Sequence, residues 1–76
     1  MYIVKAHHRG TEETLYFHEW EELDEDGFDY DYYHEWSNCQ ASIYKDKEIA
    51  LKSAIRFTGF IYPEFDYVKD IEVTEI

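Results

Sequence analysis

The stretch Phe28-Asp29-Tyr30-Asp31-Tyr32-Tyr33-His34-Glu35-Trp36 opens in strict alternation, with Phe28, Tyr30 and Tyr32 on one side and Asp29 and Asp31 on the other. A period of two marks a strand, because successive side chains of a pleated backbone point to opposite faces. A half-buried strand is predicted here, with Phe28 and Trp36 turned into the core, and the fold is predicted to be built on a sheet.

Downstream, Ser37 and Asn38 read as a turn, and Cys39, Ala41 and Ile43 then alternate with Gln40, Ser42 and Tyr44 as a further short strand. Upstream, Thr14 to Trp20 is rich in β-formers, and Tyr2 to His8 carries the β-branched pair Ile3 and Val4, with Arg9, Gly10 and Thr11 as the turn between them. A hairpin is the simplest reading, with Trp20 in the core. A helix competes over residues 14–26, because Tyr16, Trp20 and Leu23 also fall at i, i+4 and i+7 and Gly27 offers a C-cap.

Asp46 is a suitable N-cap with Glu48 in the first turn, and Ile49, Ala50, Leu51, Ala54, Ile55 and Phe57 supply an apolar stripe closed by Gly59. A helix over about 46–58 is predicted, with Lys47, Lys52 and Arg56 facing outward. Pro63 breaks the chain. Residues Tyr67 to Ile76 form a last strand, with Ile71 and Val73 on one face and Glu72 and Thr74 on the other. The resulting fold class is α+β: a small, mainly antiparallel sheet of four to five strands with one α-helix packed on it. A chain of 76 residues reads as a single domain over 1–76, and at that size folding hides only about 60–65 % of the unfolded surface. With 45 % hydrophobic and 20 % aromatic content the chain can still bury enough to fold despite a net charge of −11.

That charge is segregated. No Lys or Arg lies between Arg9 and Lys45, while eleven acids do, namely Glu12, Glu13, Glu19, Glu21, Glu22, Asp24, Glu25, Asp26, Asp29, Asp31 and Glu35. The seven remaining acids are matched by seven basic residues, so the whole net charge sits within residues 10–44. Such a block self-repels in a compact state and suits a surface that meets a cationic partner. Direct binding to nucleic acid or to an anionic membrane surface is excluded on sign. Cys39 alone makes no intrachain disulfide, and no apolar run reaches the roughly 20 residues that span a bilayer, so a cytoplasmic setting is expected.

Chemistry at defined residues is harder to find. Asp24, Asp26 and Gly27 match EF-hand loop positions 3, 5 and 6, but Glu22 stands at position 1 and Tyr33 at position 12. His7, His8, His18, His34 and Cys39 form no CxxC, HxxxH or HExxH, so no metal or cofactor is expected. Cys39 with His34 is the only conceivable nucleophile and base, and so small a chain has little volume for a cleft as well as a core. No catalytic residue is assigned and the protein is not expected to be an enzyme.

The candidate partner-binding residues are therefore Glu19, Glu21, Glu22, Asp24, Glu25, Asp26, Asp29, Asp31 and Glu35, with Tyr30, Tyr32 and Tyr33 as interleaved anchors. The acidic, aromatic segment Glu19 to Trp36 resembles the small acidic inhibitors of phages and mobile elements, the anti-CRISPR and anti-restriction proteins that mimic DNA. The resemblance covers about a quarter of the chain and has no shared motif. It implies a non-catalytic inhibitor that blocks a basic nucleic-acid-binding surface of a partner protein, in the host cell cytoplasm if phage-encoded. The alternatives are a calcium or other cation-binding module using Glu22, Asp24, Asp26 and Asp29, and an adaptor or antitoxin-like subunit. The oligomeric state is left open.

Overall fold

The computed structural model describes residues 1–56 and 67–76. The element order is β1 (Tyr2–His8), β2 (Thr14–Leu23), β3 (Tyr30–Ser37), α1 (Lys47–Arg56) and β4 (Val68–Glu75). The strands form one antiparallel sheet in the order β3-β2-β1-β4, so the fold is α+β, with one helix among the described residues, as the patterning predicts. The segment 14–26 is strand and turn, not helix. Its apolar side chains alternate, Leu15 and Phe17 going to the core while Thr14 stays exposed and Tyr16 half-buried.

The core sits between α1 and one face of the sheet and contains Val4, Ala6, Leu15, Phe17, Trp36, Ala50, Ala54 and Val68. Phe17 is fully buried and meets Trp36 edge-to-face at 5.5 Å between ring centroids, a preferred aromatic arrangement. On β4, Asp70 takes a left-handed φ of 54° beside the β1–β4 register shift between Lys5 and His7. A bulge of this kind resets the alternation, which lets Ile71 and Val73 both pack against the core that Val68 enters.

The helix starts where its cap predicts. Asp46 Oδ1 accepts the N–H groups of Glu48 (2.8 Å) and Ile49 (3.1 Å), two donors that otherwise lack an intrahelical partner. Its buried stripe differs from the expected one. Ala50, Ser53 and Ala54 face the sheet, while Ile49 (57 % exposed), Leu51 and Ile55 lie outside. Small residues at i, i+3 and i+4 let the helix axis approach β1 and β4 closely, and the bulky neighbours are displaced to its flanks. Phe57, the predicted helix end at 58, Gly59 and Pro63 lie outside the described residues.

The expected strand over Cys39–Tyr44 is not formed. Ser37 Oγ accepts from Cys39 N (3.2 Å) and Gln40 N (3.1 Å), which turns the chain at once. Ser42 then brackets Glu19 with its side chain, accepting from Glu19 N (2.8 Å) and donating to Glu19 O (3.1 Å). Hydroxyls thus do much of what a backbone ladder would do, beside the single bond from Ser42 N to the Phe17 carbonyl and an isolated bridge from Tyr44 to Tyr2.

Candidate functional site

Strand β2 pairs with β1 only from Thr14 to Tyr16, but with β3 over its full further length, from Tyr16↔Ser37 to Leu23↔Tyr30. Beyond Phe17, whose carbonyl accepts from Ser42 N, β2 and β3 continue as a two-stranded ribbon. Residues 24–29 close its tip. Asp24 accepts from Gly27 N through both its carbonyl and Oδ1 (3.0 Å each), and Gly27 sits at φ 75°, where a Cβ would be strained. None of residues 19–35 is buried.

All nine acidic candidates lie on this ribbon, and no Lys or Arg does. They do not form one face. Alternation puts Glu19, Glu21, Tyr30 and Tyr32 on the side of Phe17 and Trp36, and Glu22, Asp31, Tyr33 and Glu35 on the other. Asp24, Glu25, Asp26 and Asp29 surround the tip, so Asp29 is a loop residue and does not share a strand face with Asp31. The ribbon is therefore negative on both faces and at its end. Doubling the strand back brings the charges to about one per 3 Å of ribbon length, close to the ~3.4 Å axial spacing of phosphates along one DNA strand. Lys5 and Lys69 are ion-paired elsewhere, to Glu72 (3.5 Å) and Glu12.

On the core-side face, the Tyr32 hydroxyl donates to Glu19 Oε2 and the Tyr32 ring stacks on His34 at 5.6 Å. Partial loss of water around the rings, reinforced by the Glu19 carboxylate, pushes the Tyr32 and Tyr44 phenols well above the ordinary value near 10, with the Arg56 charge opposing the rise at Tyr32. Arg56 is thus the helix cation whose field reaches the ribbon.

The opposite face carries a ring ladder. Trp20 stacks with His18 at 4.7 Å and with Tyr33 at 5.4 Å, the planes inclined by only 21° and 20°. The middle ring and one end are tied to carboxylates, Trp20 Nε1 donating to Glu22 Oε1 (3.1 Å) and His18 Nδ1 lying 3.3 Å from Glu35 Oε2. Trp20 is therefore half-buried outside the core, and Phe28 is 85 % exposed beside the tip. Trp20 falls by alternation on the face opposite Phe17, and Phe28 precedes β3 in the tip loop, so neither points at the core between α1 and the sheet. Of the three tryptophan and phenylalanine residues expected inside, Trp36 alone is buried. His18 and Trp20 are the site residues that patterning missed. Their signal is the spacing i, i+2 on a strand, legible only once the register to Tyr33 and Glu35 is known.

Among the described residues no group of three or more His, Cys, Asp or Glu side chains is placed to hold a metal ion. Asp24, a candidate ligand, is engaged in its own turn. Cys39 Sγ lies 3.5 Å from Ser37 Oγ, while His34 stacks on Tyr32. No helix among the described residues is long and apolar enough to cross a membrane. In comparison with known proteins, no family model, no curated protein and no solved structure matches this chain.

Proposed function

We propose that the protein is a non-catalytic inhibitor whose acidic ribbon occupies a basic, nucleic-acid-binding surface of a partner protein, in the manner of a DNA mimic such as an anti-CRISPR or anti-restriction protein acting in a host cytoplasm. The observation that carries this reading is the ribbon itself: nine carboxylates, no Lys or Arg and no buried residue on a projecting pair of strands. A solvated acidic loop has no need of an eight-pair ladder and a ring stack to hold its charges in order. A basic cleft gains most from charges that are already held at fixed spacing.

The test is affinity capture from a bacterial lysate at low salt, followed by elution with DNA. Capture of a nucleic-acid-binding protein that DNA releases, and that an equally acidic unrelated protein does not retain, supports the proposal. Retention unaffected by DNA and by salt contradicts it, since an exposed charge interface must weaken with ionic strength.

A second reading, an adaptor that docks through α1, is favoured by one observation: Ile49 lies exposed beside a hollow lined also by Lys52, Ser53 and Arg56. Under that reading, alanine at Lys52 affects association more than any change on the ribbon.

A further inference from the structure

The two faces of the sheet are unlike. Helix α1 packs over the face that carries Val4, Ala6 and Phe17. On the face turned away from α1, the register and alternation line up three zones along β2 and β3. At the base is an apolar hollow of about 340 Å³ lined by Ile3, Tyr16, Ile43 and Ile76. Next comes the His18, Trp20 and Tyr33 ladder, and beyond it Glu22 stands directly opposite Asp31. Two like charges facing each other across strands destabilise a ribbon, and Tyr33, 41 % exposed, stands next to them.

We infer that this open face is a docking surface for an arginine-bearing segment of a basic partner protein, with a guanidinium seated against Tyr33 between Glu22 and Asp31 and apolar neighbours directed toward the hollow. The inference rests on the proposed function and adds the chemistry that the ribbon selects. Aromatic rings alone also suit nucleobases, but nine negative charges repel phosphate. A second copy of this chain brings the same charges and is disfavoured for the same reason. Between the two cationic side chains, guanidinium is planar and weakly hydrated, stacks on rings and forks onto a carboxylate, whereas the compact, strongly hydrated ammonium of lysine does none of these as well.

The experiment titrates the intact protein with oligo-arginine and oligo-lysine peptides of equal length and charge, following tryptophan emission and heat. Oligo-arginine is expected to bind about tenfold more tightly and to quench Trp20, the more exposed of the two tryptophans. Tyr33→Ala should erase the preference while leaving oligo-lysine affinity unchanged, and Leu23→Ala on the other face should leave the preference intact. Equal affinity for both peptides overturns the inference and leaves the ribbon's general role standing. Failure of both to bind overturns the two together. A dimer in solution that Trp20→Ala dissociates also overturns the inference, because a second copy then covers the ladder.

Discussion

The base of the molecule and the outer half of its β2–β3 ribbon are made by different means. In the base, a helix closes on the sheet through Ala50, Ser53 and Ala54, eight apolar residues among those described are buried, and acids find lysines, as in Lys5 with Glu72. The ribbon has a backbone ladder, stacked rings and a Ser42 clamp at its root, but no buried side chain and no Lys or Arg. The difference teaches that order and burial are separable here: the base is held by apolar packing, and the ribbon by pairing to itself and anchorage to the base. An isolated two-stranded hairpin is marginal in water, so the ribbon depends on the base and not the reverse.

Breaking the base should therefore have the largest effect. Phe17→Ala removes a fully buried ring and should cost about 3–5 kcal/mol, a large part of what so small a domain has; urea denaturation followed by circular dichroism should show a protein partly unfolded without denaturant. Breaking the ribbon's chemistry should leave the fold in place. Changing Glu21, Asp26, Asp29 and Asp31 together to Lys should keep the circular dichroism spectrum and lower affinity for a basic partner on the order of 100-fold, read by calorimetry.

Asp46→Ala, which removes the helix cap, should cost about 1 kcal/mol and show as a lower denaturation midpoint with unchanged partner binding. The smallest effect near neutrality concerns Tyr32 and Tyr44. Their phenols are held above the ordinary value, so the folded state keeps those protons more firmly than the unfolded chain does. The stability they contribute is fully present below the unfolded value near pH 10 and is lost as pH rises beyond it. Tyrosinate absorbance should lag behind that of the other tyrosines, and unfolding should begin in the same alkaline range.

Much of the base was readable from local signals. The β1 span Tyr2–His8 follows from β-branched residues ended by a turn, and the start of α1 follows from Asp46. What was not readable depends on the third dimension. The Cys39–Tyr44 alternation suggests a strand, but Ser37 and Ser42 satisfy the backbone through their hydroxyls, and period alone cannot show that. Ile49 and Leu51 look like core until small residues set the helix close to the sheet. At the site, composition located the acidic run, yet its division into two faces and a tip follows from register. Trp20 is half-buried on the face away from Phe17 and Phe28 lies exposed in the tip loop, placements that follow from which residue of the ribbon meets which and not from composition.

The opposition of Glu22 and Asp31 across the ribbon has a consequence for how dissolved ions act on this molecule. Sodium chloride damps the mutual push of neighbouring carboxylates, so it should raise the melting temperature of the free chain while loosening its hold on any cationic target. One reagent thus moves two properties in opposite directions, and the protein should be at its most adhesive in the dilute media where it is least robust alone.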